Sequence, residues 1–173
     1  MGLKYDGWKL IRHKMPASSP SPMIVRDVSG DEHVWYLKRK MEEESLEVAG
    51  ATTAAGFIEE MADVRQVLSD YCAVTGLRVA HLRLPAIDGV PTVAADRMPF
   101  FRSQVDRVVE LAHAMPDDEA DLMDHVAETV AVLKLITDIA GIQDKVVATL
   151  KAKFEERGGF NPGVLWKKPL SAQ

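Results

Sequence analysis

The chain of 173 residues contains a single cysteine, Cys72. A lone thiol excludes an intrachain disulfide and a thiolate cluster for zinc. Set in "VLSDYCAV", it reads as a small buried side chain. No apolar run approaches the ~20 residues of a membrane-spanning helix. The opening "MGLKYDGWK" has no apolar core of a secretory signal, and position 6 is Asp rather than the Ser or Thr of a myristoylation signal. The expected location is therefore cytoplasmic, with no membrane partner. The longest basic run is Lys38–Lys40, and the net charge is −5. Sequence-independent binding of nucleic acid needs a basic stripe that replaces counterions, so no nucleic-acid partner is expected. Three chemistries are also missing: there is no GxxxxGK[ST] phosphate loop, no HExxH zinc helix and no GxSxG nucleophile elbow. Aromatic residues are only 6% of the chain, and strand signals are weak throughout.

What is plentiful is Ala, Leu, Val, Glu, Asp and Met, a helix-forming mixture. The expected fold is an all-α helical bundle, one domain over 1–173. "GWKLIRHKMP" forms a short mixed element, and "PASSPSPM" (16–23) is too rich in Pro and Ser to be regular. Helices are predicted over 29–50, 57–76, 100–115, 116–141 and 142–159. Their ends are marked by Gly50, Gly76 and the Gly158–Gly159 pair. The stretch 82–99 holds three prolines and a glycine and reads as irregular. Sliding the second helix by 65 residues lays Val67 on Val132, Leu68 on Leu133, Gly76 on Gly141 and Asp63 on Glu128. This suggests a tandem helical-hairpin arrangement with halves at about 31–78 and 100–160. Any two amphipathic helices that end in glycine share some of this likeness.

The acids carry the chemistry. Residues three, four and seven apart share a helix face. Leu37, Met41, Glu44 and Val48 follow that spacing, with Glu47 beside them. So do Glu60, Val64, Val67 and Tyr71, with Asp63 beside Glu60. Glu42 lies off the stripe. Glu43 is offset from Glu44 by about 100° around the helix. If the two helices form a hairpin through "ATTAAG", the acid pairs meet. Carboxylates converging in a partly buried place repel one another unless cations fill the space. Oxygen ligands without His or Cys favour a hard ion, Mg²⁺ or Mn²⁺, which commonly shares its coordination with substrate phosphates. The competing reading is an ordinary solvated face, with Lys38–Lys40 pairing Glu42–Glu44.

"EESLE" (43–47), twelve residues, then "EMAD" (60–63) resembles the EExxE…ExxD signature of the MazG-like all-α nucleotide pyrophosphohydrolases. Relatives of that group include phosphoribosyl-ATP pyrophosphohydrolases and dimeric dUTPases. "KLIRHKMP" (9–16), "YLKRKMEEE" (36–44) and "KAKFEERGGF" (151–160) resemble the opening, motif helix and ending of one branch. The resemblance implies Mg²⁺-dependent hydrolysis of a nucleoside triphosphate to a monophosphate and pyrophosphate, as in house-cleaning of a nucleotide pool. It implies metal ligands at Glu44, Glu47, Glu60 and Asp63. Glu43 is then the acid left to hold or activate water. Lys40, Lys151, Lys153 and Arg157 are candidates to balance phosphate charge by their position near the motifs. The chain departs from the pattern at His13, where the family opening is acidic. The second half is degenerate: it offers His125 and Glu128, and Val108, Val109 or Glu110, where the first has four acids. One metal site per chain is expected, with the second hairpin covering the first as a partner subunit does in single-unit relatives. A homodimer is left open.

Two other classes compete with this reading. "ELAH" (Glu110, His113) has the Glu-x-x-His spacing of di-iron bundles, but those need two such motifs. A non-catalytic helical interaction module is the other alternative, and the four intact acids of the first hairpin weigh against it.

Overall fold

The computed structural model describes residues 8–19, 24–117 and 119–167. Among these, the chain is mostly helical, with one small sheet. Strand β1 (Trp8–Ile11), the short helix α1 (Met15–Ser18) and strand β2 (Ile24–Val28) precede the long helices. Then come α2 (Gly30–Gly50), α3 (Ala54–Thr75), α4 (Ala94–His113), α5 (Glu119–Ala140) and α6 (Gln143–Arg157), and strand β3 (Gly163–Lys167) follows. The expected helical bundle is present. No helix among the described residues is long and apolar enough to cross a membrane.

The α2–α3 hairpin is built by the two predicted stripes. Leu37, Met41 and Val48 on α2, and Val64, Val67 and Tyr71 on α3, are all 2% exposed or less. Thr53 opens α3 by accepting a 3.0 Å hydrogen bond from the Gly56 N–H, so part of the expected link is helical. Gly76 closes α3 in the left-handed conformation, φ 76°. Helix α2 packs on α3 and on α4, and α4 packs on α5. Helix α6 lies mainly against α3, which places Lys153 beside the first hairpin.

Two features differ from the sequence expectation. Helix α4 starts at Ala94, inside the stretch read as irregular, and contains Pro99. Pro99 lies early in the helix, so it removes one backbone bond near an end already short of partners. Asp96 in the first turn suits the helix dipole. The second difference is the antiparallel sheet, order β1-β3-β2. Trp8 faces Lys167 and Ile11 faces Val164, while Ile24 also faces Lys167 and Val28 faces Gly163. Leu10 and Leu165 turn into the core at 3% and 0% exposure. The expected loop over 16–23 gives way to α1 at its start, and Pro20–Met23 lie outside the described residues.

The sheet brings "KLIRHKMP" against "RGGF". The His13 N–H donates to Gly159 O at 2.8 Å, and the Lys14 N–H donates to Arg157 O at 3.0 Å. Gly158 turns the chain at φ 74°, ψ −168°, a conformation essentially reserved for glycine. A Cβ there would lie 2.5 Å from the His13 ring. Gly158→Ala is therefore expected to cost about 2–3 kcal/mol, read as a lower urea midpoint with an unchanged denaturant slope.

Candidate metal centre

Glu44 and Glu47 come from one face of α2, and Glu60 from the facing side of α3. One carboxylate oxygen from each lies within 4.8 Å of the other two. This is the one group of three or more potential metal-ligating side chains found among the described residues. The three differ in setting: Glu44 is buried, Glu60 half-buried and Glu47 exposed. The trio thus runs from the core to solvent. Beside its open end lies a shallow groove of about 550 Å³, lined by Leu46, Glu47, Gly50, Thr52, Gly56 and Glu60.

Asp63, the fourth expected ligand, is next to the trio but engaged elsewhere. One of its oxygens accepts from Arg12 Nη2, and the other from Lys153 Nζ at 2.6 Å. Arg12 is 4% exposed. It also donates through Nη1 to Gly158 O at 2.6 Å and lies 5.0 Å from the centre of the Phe160 ring. Lys40 Nζ is 2.6 Å from Glu44 Oε1 and 3.2 Å from Glu43 Oε1. Glu43 sits at the outer edge, also 3.7 Å from Lys9. Of the four expected phosphate-facing cations, Lys40 and Lys153 adjoin the acids. Lys151 is exposed on α6, and Arg157 is exposed with its Nε 3.5 Å from Glu156.

The charge balance is uneven. The Glu44 carboxyl is raised from 4.5 to about 7, by burial first, with Lys40 opposing the rise and Asp63 and Glu47 adding to it. Glu60 is also raised, by burial first, then by the charge of Glu47 and a hydrogen bond with it, and by Asp63, against Lys153. Lys40 is drawn down by burial, yet Glu44 and Glu43 more than offset this and leave it raised. Lys40 therefore stays cationic, and the cost of burying charge, with some repulsion added, sits on Glu44 and Glu60. A divalent cation among the trio would relieve it. Three convergent oxygens without nitrogen or sulfur suit Mg²⁺ or Mn²⁺. On this donor set and this electrostatic strain, the residues fit such an ion.

Several supporting residues were not singled out in the sequence. Asp70 accepts the Phe160 N–H at 2.7 Å and Gln66 Nε2 at 2.9 Å. His33 donates from Nε2 to Phe160 O at 2.7 Å. A Cβ on Gly159 would lie 2.8 Å from Asp70 Oδ2. The "RGGF" glycines thus admit the chain against α3 and His13. The available signal was the spacing of Asp63, Gln66 and Asp70, which puts three polar residues on one face of a buried helix. His13, at the family's acidic position, donates to Gly159 O at 3.1 Å.

Among the described residues, helices α4 and α5 make no comparable centre. Arg107 binds Glu128 at 2.7 Å and Glu110 at 3.0 Å, and His113 reaches Glu42 at 2.9 Å. His125 Nε2 donates to Leu111 O at 2.7 Å. Glu110 and His113 thus turn to different partners, which removes the basis of a di-iron pair. A cleft of about 590 Å³ beside Arg83, Arg107 and Glu128 contains none of the trio. Comparison of the chain with family models, curated proteins and solved structures finds no match.

The raised Glu44 sets a pH dependence. Its folded value lies above 4.5, so its contribution to stability is complete below about pH 4.5 and is lost as pH rises through about 7. Without divalent ions, the stability of wild-type protein relative to Glu44→Gln is expected to fall between pH 5 and 8, by an amount on the order of 3 kcal/mol. Millimolar Mg²⁺ should reduce the fall. Urea unfolding of both proteins at several pH values checks it.

Proposed function

We propose that the protein hydrolyses a nucleoside triphosphate between its α and β phosphates, releasing a nucleoside monophosphate and pyrophosphate with Mg²⁺ as cofactor. The observation that carries the reading is the convergence of Glu44, Glu47 and Glu60 from two helices, with one end buried and the other open to a groove. The type of reaction comes from the resemblance of the two acidic motifs to MazG-like pyrophosphohydrolases. A bound divalent cation would neutralise phosphate oxygens and lower the pKa of a coordinated water.

The chain's own residues divide the remaining work. Glu44, Glu47 and Glu60 hold the cation. Asp63 joins them by giving up Lys153, or stays a bridge to Arg12. Lys40 and Lys153 face the triphosphate and offset charge on the leaving pyrophosphate. Water oxygen attacks the α phosphorus, the bond to the bridging α–β oxygen breaks, and the electron pair leaves with pyrophosphate. Glu43, half-exposed beside Lys40, takes the water's proton. Lys151 and Arg157 lie on the exposed side of α6, and contact with the phosphates would require them to turn inward. Asp70, Gln66 and His33 hold the 158–160 turn and take no part in the chemistry.

Two results test this. A panel of canonical, deoxy- and damaged nucleoside triphosphates with Mg²⁺ should give pyrophosphate and a monophosphate from at least one member. Release of orthophosphate alone would place the cleavage elsewhere. No turnover across the panel would favour a helical interaction module. Glu60→Gln is expected to abolish turnover and weaken Mg²⁺ binding while helical circular dichroism is unchanged. Retained turnover would remove Glu60 from the site.

A further inference from the structure

Glu44 is the most buried of the trio, and it already has a cation. Lys40 Nζ lies 2.6 Å from it, one helical turn away, and the side chains are 16% and 5% exposed. Such a pair is nearly withdrawn from water, where its charges are poorly screened. A divalent ion at Glu44 would meet the Lys40 ammonium at close range. The two cannot hold the same carboxylate at low cost. Lys40 has a second direction available. It reaches outward to half-exposed Glu43 and lies 5.9 Å from the Phe160 ring. Its flexible four-carbon stem lets the ammonium swing without moving the helix. The same division recurs at Asp63, which is held by Arg12 and Lys153.

We propose that Lys40 is a tethered competitor of the divalent cation for Glu44, and that an anionic polyphosphate relieves the competition by taking the displaced ammonium. Cation and polyphosphate then load together: each binds better when the other is present. This rests on the reading of the trio as a cation site. If Lys40 and Glu44 were an ordinary helix pair with no cation site behind it, removing the lysine would leave Mn²⁺ binding unchanged.

The test uses Mn²⁺ alone, followed by paramagnetic resonance, and then the Mn²⁺–pyrophosphate complex, followed by calorimetry. Wild-type protein is compared with Lys40→Met and Lys40→Gln. Two replacements guard against one failing to fold, and circular dichroism and melting check each. Mn²⁺ alone is expected to bind about tenfold more tightly to the variants, and the pyrophosphate complex about tenfold more weakly. Unchanged or weaker Mn²⁺ binding in both variants overturns the competition. Tighter Mn²⁺ with unchanged pyrophosphate-complex binding overturns the hand-over. No Mn²⁺ binding to any of the three proteins overturns the whole proposal. Both expected shifts without nucleotide turnover would leave this inference standing and reject the hydrolase reading. Turnover without either shift would do the reverse.

Discussion

Helices α2 and α3 meet along Leu37, Met41, Val48, Val64, Val67 and Tyr71, and the acidic centre depends on that contact. The two stripes that close the core also carry Glu44 and Glu60. Packing the stripes together therefore buries carboxylate as well as hydrocarbon. Full burial of an apolar side chain yields about 1.5–3 kcal/mol, and several line this seam. The hydrophobic contact can thus hold the acids together against their repulsion. Burial first, and repulsion after it, raises the carboxyls of Glu44 and Glu60.

Around this seam the chain supplies a frame of positive charge from distant segments. Arg12 arrives just after β1, Lys153 from α6 and Lys40 from α2 itself. The three-stranded sheet brings the first of these into place. Pairing β1 with β3 sets the 12–14 segment against the 157–159 turn. Arg12 then bridges that turn to Asp63. The glycines at 158 and 159 are what allow such an approach: one takes a conformation closed to other residues, and the other lies against the Asp70 carboxylate. Helix α4 packs on α2 and on α5, and Arg107 neutralises the acids Glu110 and Glu128.

Much of this was legible because helices announce themselves locally. The 3.6-residue period placed Met41, Glu44 and Val48 on one face, and Gly76 marked the end of α3. Glu44, Glu47 and Glu60 could be grouped before any coordinates, since two helices joined by a short link have few ways to pack. The sheet was not legible. Its strands are four or five residues long, too short for a period of two to stand out, and β1 pairs with a strand about 150 residues away. The pairing of Asp63 with Arg12 was hidden for the same reason, as it depends on that sheet. Pro99 concealed the first turns of α4 because its effect depends on its distance from the helix end, which the sequence alone does not show. Arg157, a candidate to balance phosphate charge, lies exposed just before two glycines. It is those glycines, with Phe160, that make the inward contacts.

The central claim is that side chains of α2 and α3 form a site for a divalent cation. The most direct measurement is anomalous diffraction from crystals of the protein soaked with Mn²⁺. The account predicts a single strong peak bounded by Glu44, Glu47 and Glu60, with the Lys40 ammonium moved away from Glu44. A peak instead among Glu110, Asp124 and Glu128, or none at saturating Mn²⁺, would contradict it.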